Sequence, residues 1–92
     1  MSERLALQDE AVHQLCNRLR RVEGQARGLV SMIEEGRSCS EIAVQMAALK
    51  AAINKSAMAF VAAYFERCLG EIEGEEAAQA LRRVGEMFLR LA

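Results

Sequence analysis

The sequence contains no proline, a single histidine and no apolar run long enough to span a membrane. The histidine, His13, cannot build a nitrogen-rich metal site by itself, and we expect it to lie on the surface. The chain also lacks a Ser-His-Asp arrangement, a phosphate-binding glycine loop, zinc-finger spacing and a helix-turn-helix pattern. None of the common catalytic or DNA-binding motifs is therefore present.

Length and cysteine usage limit the protein class. The 92 residues predict a single domain, residues 1–92, with neither a membrane segment nor an N-terminal signal, so we expect a cytoplasmic protein. Its three cysteines should then be reduced by default, which favours a reactive or metal-binding role over a structural disulfide. Because so short a helical chain buries a limited fraction of its surface alone, we expect at least a dimer.

The longest predicted element is one helix from Ser38 to Cys68. Ser38 and Glu41 fit the Ser-x-x-Glu capping box, Gly36 closes the preceding helix, and neither proline nor glycine interrupts the stretch before Gly70. Apolar positions recur at steps of four and three residues, which is typical of a helix. They are Ile42, Met46, Leu49, Ile53, Ser56, Phe60 and Ala63.

Cys39 and Cys68 lie at opposite ends of this predicted helix. They are 29 positions apart, which at ~1.5 Å per residue separates them by roughly 43 Å. Two copies paired antiparallel about an axis near Ile53 and Asn54 would bring each Cys39 beside Cys68 of the partner subunit. The helix N-terminus favours a thiolate at Cys39. The alternatives are that Cys39 is an inert residue at a helix cap and that Cys68, like Cys16, is an apolar filler.

Two further helices complete the predicted all-α fold. The first begins near Asp9 and carries a heptad seam, and the short Gly36-Arg37 turn makes the second helix its antiparallel neighbour. The seam consists of Val12, Leu15, Leu19, Val22, Ala26, Leu29 and Ile33. Residues 69–74 are predicted to be a linker, and the third helix should begin near Glu75. Its apolar stripe consists of Ala77, Leu81, Val84, Phe88 and Leu91.

Charge is unevenly distributed along the chain. A net charge of −1 argues against general affinity for nucleic acid. Between Cys16 and Gly28, however, there are four arginines and only one acidic residue. Residues 42–65 contain Lys50 and Lys55 and no acidic residue. The first two helices can therefore present a positive face, although charge alone favours a solvated helix surface.

Several segments together resemble the copper-sensing operon repressor (CsoR) family. They are Arg18-Leu-Arg-Arg-Val-Glu-Gly-Gln-Ala-Arg-Gly28, Met32-Ile-Glu-Glu-Gly36, Cys39, Ile42 to Leu49, its continuation to Met58, and Cys68. The resemblance implies an all-helical dimer of antiparallel bundles, assembled into a disc-shaped tetramer, that represses transcription by binding operator DNA. It also implies an inducer site between protomers. We assign the DNA contacts to Arg18, Arg21, Gln25, Lys50 and Lys55.

The sequence departs from the copper sensors of that family at Tyr64. Those sensors pair the first cysteine with a His-x-x-x-Cys motif of the partner, whereas this chain has Tyr64-Phe-Glu-Arg-Cys68. A neutral phenol is a poor substitute for imidazole toward copper(I). Two cysteines without the histidine resemble the persulfide-sensing branch, the CsoR-like sulfurtransferase repressors. This resemblance implies that Cys39 and Cys68 of the partner subunit are cross-linked by reactive sulfur species, beside Tyr64 and Arg67.

We therefore predict a repressor, not an enzyme, that uses no cofactor and has no membrane partner. A sulfane sulfur donor would form a persulfide on Cys39, Cys68 of the partner subunit would resolve it, and operator DNA would be released. One alternative is a copper(I)-responsive repressor that uses the same cysteines, with Tyr64 as a bystander. A thiol oxidoreductase is less favoured because a Cys-x-x-Cys motif is absent. A structural helical adaptor leaves the arginine cluster unexplained.

Overall fold

The structure of the chain is a computed structural model that describes residue 7, residues 9–71 and residues 74–91, with side chains over the same ranges except 68–71. In these ranges the chain forms three helices and no strand: α1 (Asp9–Glu34), α2 (Cys39–Glu71) and α3 (Gly74–Leu91). The prediction of an all-α fold with three helices is confirmed. The molecule is elongated, 56 × 25 × 22 Å, because α2 alone spans roughly 50 Å at ~1.5 Å per residue.

The turn between α1 and α2 is built around Gly36, as its position predicts. Gly36 has a φ of +74°, a conformation that residues with a Cβ rarely adopt. Its amide donates to the Ile33 carbonyl (3.1 Å), and the Arg37 amide donates to the Met32 carbonyl (3.0 Å). These two bonds close a Schellman motif, so α1 ends sharply and α2 can turn back along it.

The predicted capping box at the start of α2 is present. The Glu41 amide donates to Ser38 Oγ (3.2 Å), and the Ser38 amide donates to Glu41 Oε1 (3.4 Å). The Ser38 hydroxyl also donates to Glu41 Oε1 (3.0 Å). Because these bonds satisfy amides that a helix start leaves without partners, they hold the backbone of Cys39, the first residue of α2.

α1 packs antiparallel on α2. Ala11, near the start of α1, shares a surface cavity with Ala63 from the second half of α2. Met32, near the end of α1, shares another cavity with Val44 from the first half of α2. The predicted antiparallel hairpin of the first two helices is therefore what the chain forms.

α3 folds back along the second half of α2. Leu91, the last residue of α3, lines a cavity with Ile53 and Ala57 from the middle of α2. Within the described residues, α1 and α3 each pack on α2 and not on each other. The central helix is thus the layer that the two outer helices share.

The predicted linker over residues 69–74 begins too early, whereas the predicted start of the third helix near Glu75 agrees to within one residue. α2 continues as a helix through Glu71, and α3 already begins at Gly74, which has a φ of +63°. Gly70 does not break the helix, because a glycine in a helix costs only about 1 kcal/mol relative to alanine. At the end of a helix of 33 residues, that cost does not stop the last turn from forming.

Few side chains of the described chain are buried. Leu29, Val61 and Ala80 form the apolar core, with 5%, 6% and 3% of their surface exposed. The seam of α1 is only partly covered, because Leu19 and Ile33 remain about half exposed. One neighbouring helix cannot enclose a full apolar stripe, so much of the apolar surface stays outside.

Exposed apolar side chains also occur on α2 and α3. Val44 and Ile53 project from α2, and the predicted stripe of α3 is only partly buried, since Leu81 and Phe88 are about half exposed. None of the described helices is long and apolar enough to cross a membrane. Exposed apolar side chains thus lie along all three helices, where they can pack against other protein surfaces.

Candidate functional site

Cys39 is the first residue of α2 and is exposed. Beside it, a surface cavity of about 350 Å³ is lined by Met32, Arg37, Ser40, Glu41, Val44 and Gln45. Arg37 forms ion pairs with Glu41 and, at 3.7 Å, with Glu35. Hydrogen bonds from Arg37 and Ser38 lower the pKa of Glu41, and the Glu41 partner raises the pKa of Arg37. Cys39 is therefore accessible on a well-ordered helix start.

Cys68 lies in the last turns of the same helix, and its side chain lies outside the described residues. Because α2 is continuous from Cys39 to Glu71, a rise of ~1.5 Å per residue keeps the two cysteines roughly 43 Å apart along the helix. One chain cannot bring them together. Any site that uses both thiols has to form between chains.

Tyr64 and Arg67 were predicted to lie near the second cysteine. Tyr64 is half-buried and packs against Phe60, with ring centroids 6.3 Å apart and planes inclined by 38°. Arg67 is half-buried and lines a cavity of about 250 Å³ with Ala11, Ala63 and Glu66. Tyr64 therefore packs on a neighbour within α2, whereas Arg67 lies where α1 and α2 meet, and both are within about one turn of Cys68.

A complete metal site is not present in the described part of one chain. No group of three or more His, Cys, Asp and Glu side chains lies close enough to hold a metal ion there. His13 is exposed on α1, with Nε2 3.3 Å from Asn17 Nδ2, and Cys16 is half-buried. Neither residue joins Cys39, in agreement with the surface and filler roles predicted for them.

A second candidate site is a cavity of about 260 Å³ between α1 and α2. It is lined by Arg18, Arg21, Gln25, Ala52, Lys55 and Ser56. Arg18, Arg21 and Gln25 share one face of α1 because they are three and four positions apart. Lys55 and Ser56 come from the middle of α2, which the antiparallel packing places opposite them. Four of the five predicted DNA-contacting residues thus meet in one concave surface.

Lys50 is the predicted DNA contact that the structure does not bring into this cavity. It lines a separate cavity of about 510 Å³ on the α3 side of α2, together with Ala47, Ala51, Ile53, Asn54, Ala57 and Leu91. Lys50 and Lys55 are five positions apart, so they point about 140° away from each other around the helix. The two lysines therefore belong to different faces of one protomer.

Ser56 and Arg37 line these cavities although neither was predicted as a site residue. Ser56 is buried, with 4% of its surface exposed, and its Oγ donates to the Ala52 carbonyl at 3.0 Å. The sequence signal for Ser56 was a polar residue at a position of the apolar stripe of α2. Arg37 could have been found from Glu41 four residues later, a spacing that suits an ion pair on a helix.

Known proteins resemble this chain in sequence and in fold. Residues 11–90 match the family model described as metal-sensitive transcriptional repressor. The chain is 35% identical over 81 residues to the copper-sensing transcriptional repressor CsoR of Bacillus subtilis, covering 84% of this chain and 80% of that protein. It is 32% identical over 75 residues to the copper-sensing transcriptional repressor RicR of Mycobacterium tuberculosis, covering 82% and 78%. The solved structure of the nickel-responsive transcriptional regulator InrS aligns with a TM-score of 0.75 at 31% identity, covering 87% of this chain and 91% of that chain.

Proposed function

The chain belongs to the metal-sensitive transcriptional repressor family, and from that premise we propose that it binds operator DNA and releases it when copper(I) reaches a two-cysteine site. The family consists of transcriptional repressors, not enzymes, and this chain is accordingly not an enzyme. A repressor acts where its operator lies, so we propose a cytoplasmic location.

Copper(I) is the proposed inducer because of the relatives and the donor atoms. Two relatives above 30% identity are named as copper sensors. The donors would be Cys39 and Cys68 of the partner subunit, and soft thiolates are the ligands that copper(I) prefers. Nickel(II) prefers nitrogen and oxygen ligands in a square plane, and the chain has one histidine, His13, which lies on α1. The donor set therefore fits copper(I) better than nickel(II).

A sulfur-responsive repressor is the second candidate, and Tyr64 is the observation that favours it. A half-buried phenol packed on Phe60 is a poor third ligand for copper(I). Sulfur chemistry needs only the two thiols. The Cys39 thiolate would attack a persulfide donor and release the donor's thiolate, and Cys68 of the partner subunit would attack the new Cys39 persulfide and release hydrosulfide. The products are one disulfide between subunits, the donor's thiolate and one hydrosulfide.

Both candidates need a second copy of the chain. We propose an antiparallel homodimer of α2 helices with its axis near Ile53 and Asn54, assembled further into a disc-shaped tetramer. Exposed apolar side chains support this proposal, since Val44, Met46 and Ile53 on α2 expose 64%, 49% and 48% of their surface. Each Å² of apolar surface removed from water contributes about 25 cal/mol of stabilisation, which favours a dimer that covers these side chains.

Operator DNA is the proposed partner of the basic residues of α1 and α2. Phosphate contacts by lysine and arginine supply much of protein–DNA affinity, and Arg18, Arg21 and Lys55 converge on one cavity with Gln25. Lys50 would contact DNA from another face of the protomer. That arrangement suits an assembly in which several protomers face the duplex.

One experiment separates the two inducers. The reduced protein is titrated with copper(I) without oxygen, and separately treated with a polysulfide, and each product is characterised by mass spectrometry and operator-DNA affinity. Copper(I) binding, detected by the ultraviolet absorption of copper-bound thiolates, supports the copper sensor if operator affinity is lost and no sulfur is added to the protein mass. A covalent subunit cross-link with loss of DNA affinity, and no response to copper(I), supports the sulfur sensor. The Cys16→Ser variant is the matched control and should behave as the parent.

A further inference from the structure

We propose that the cavity lined by Arg18, Arg21, Gln25, Ala52, Lys55 and Ser56, called here the oxyanion pocket, binds a single phosphate group. The group comes from the DNA backbone or from a free phosphate species such as inorganic phosphate or pyrophosphate. This inference rests on the proposed DNA-binding function and adds a discrete subsite to it, occupied by one tetrahedral anion per protomer.

Uncompensated positive charge is the first argument for the oxyanion pocket. Arg18, Arg21 and Lys55 bring three cations to its wall, and no acidic side chain lines it. In the described part of the chain these three cations form no ion pair, whereas Arg27 pairs with Glu23 and Arg37 with Glu41. Like charges brought together without acids attract an anion.

The hydrogen-bonding groups of the wall suit phosphate rather than a base edge. Arginine and lysine carry only donors, and the guanidinium fork matches two oxygens of one phosphate. Gln25 adds an amide that can donate from the same face of α1. Phosphate presents hydrogen-bond acceptors on all sides, and the polar side chains that line the pocket are almost all hydrogen-bond donors. The two are therefore complementary.

Small residues on α2 create the concavity. Ala52 and Ser56 form the floor of the pocket. The Ser56 hydroxyl donates a hydrogen bond to the Ala52 carbonyl, and this bond fixes the orientation of the Ser56 side chain. At about 260 Å³ the cavity has room for several water molecules at ~30 Å³ each, and hence for a hydrated phosphate group. A larger side chain at residue 52 would fill this space without removing any charge.

That feature gives a test that separates a pocket from a merely basic surface. The full chain, in its native assembly, is titrated with inorganic phosphate and with pyrophosphate at constant ionic strength set by chloride, and binding is followed by phosphorus-31 NMR and calorimetry. We expect saturable binding of one anion per protomer, and competition with operator DNA that chloride at equal ionic strength does not produce. Failure to saturate, or equal competition by chloride, would overturn the pocket proposal.

The Ala52→Leu variant should lose at least tenfold in phosphate affinity and at least tenfold in operator affinity, with its net charge unchanged. Ala78→Leu, on an exposed position of α3, is the matched control and should keep both affinities. Circular dichroism and sedimentation confirm that fold and assembly are retained. If Ala52→Leu keeps both affinities, the cations act as a diffuse surface and the pocket proposal is wrong.

A second pair of variants keeps the test decisive if Ala52→Leu does not fold. Arg21→Gln should lose phosphate binding, and Arg27→Gln, which removes an arginine already paired with Glu23, should retain it. Equal phosphate loss in both variants would overturn the pocket. Operator binding by the parent without any phosphate saturation would reject the pocket and leave the repressor proposal standing. Phosphate saturation without binding to any promoter DNA would reject the repressor proposal instead.

Discussion

Arg37 Nη2 donates a 2.7 Å hydrogen bond to Glu41 Oε2 across the turn that joins α1 to α2. Glu41 also accepts hydrogen bonds from the amide and hydroxyl of Ser38. A single carboxylate thus connects Ser38, the cap of α2, with Arg37, the residue that follows Gly36. The ion pair with Arg37 requires Glu41 to be ionised.

Acid should weaken the turn through Glu41. Its pKa is lowered in the folded chain, first by the Arg37 hydrogen bond and then by Ser38. A carboxyl with a lower folded than unfolded pKa stabilises the fold above its unfolded pKa, and that contribution disappears as pH falls through the folded pKa. We expect the melting temperature of the parent to exceed that of Glu41→Gln at pH 7, with the difference shrinking below about pH 4. A difference that stays constant between pH 7 and pH 3 would contradict this.

Arg37 should not add a second transition in this range. Its pKa is raised by the same partner, so its contribution persists below the unfolded arginine pKa and is lost only as pH rises through the folded one. Glu34→Gln is a suitable control, because this exposed acid lies one residue before the turn. The difference in melting temperature between the parent and Glu34→Gln should not shrink on acidification in the way expected for Glu41→Gln.

Removing one basic side chain should change the salt dependence of operator binding. Arg21→Ala and Lys50→Ala should each weaken binding and flatten the slope of log K against log salt by about one unit, since each lost phosphate contact releases about one fewer counterion. Fluorescence anisotropy between 50 and 200 mM salt, roughly the range in which such slopes are measured, gives the comparison.

The two variants also separate the two basic faces. If only Arg21→Ala flattens the slope, DNA contacts the oxyanion pocket and not the face that carries Lys50. If both variants keep the parent slope, the basic residues are only a solvated surface and the assignment of the DNA contacts fails.

Oxidation through Cys39 and Cys68 should produce a covalent dimer. A direct disulfide needs Cα atoms within ~7 Å, whereas one continuous helix holds these residues roughly 43 Å apart. Non-reducing denaturing gels after polysulfide treatment should show dimer and little internally closed monomer. Cys16→Ser should leave this pattern intact, Cys39→Ser should abolish it, and Cys68→Ser should stop at a Cys39 persulfide visible by mass spectrometry. A closed monomer as the main product would mean that α2 breaks in solution.

Tyr64→His should raise copper(I) affinity. The substitution places an imidazole one turn before Cys68, so two thiolates and one nitrogen would be available between subunits. Competition against a copper(I) chelator of known affinity measures the gain. Tyr64→Phe is the control and should bind copper(I) as the parent does, because a neutral phenol contributes little. A loss of affinity in Tyr64→Phe would show that Tyr64 is more than a bystander.

Local signals made the helix ends predictable. Ser38, Glu41 and Gly36 each act through hydrogen bonds to residues within five positions, so their roles can be inferred from spacing alone. The end of α2 was not predictable in this way, because a glycine such as Gly70 disfavours a helix only weakly. The same limit applies to Leu81 and Phe88, whose exposure depends on which side of α3 meets α2.

The sites were predictable in part for the same reason. Arg18, Arg21 and Gln25 share a helix face by spacing, but their meeting with Lys55 depends on how α1 and α2 pack. The separation of Lys50 from Lys55 follows from helix geometry once both are known to lie in one helix. The inducer was the hardest inference, since Tyr64 alone pointed to sulfur chemistry while the relatives at 35% and 32% identity are named for copper.

Among the described residues α1 and α3 each pack on α2 and not on each other, so either outer helix can open while the other stays in place. Fraying of α3 removes cover from the second half of α2 but breaks no contact of α1, so the α1–α2 hairpin can stay closed during such openings. Amide protons of α3 can then exchange through local fluctuations while those around Leu29 and Val61 exchange only through larger ones. Heat or mild denaturant would therefore damage the α3 end first and leave the surface that carries Arg18 and Arg21 organised.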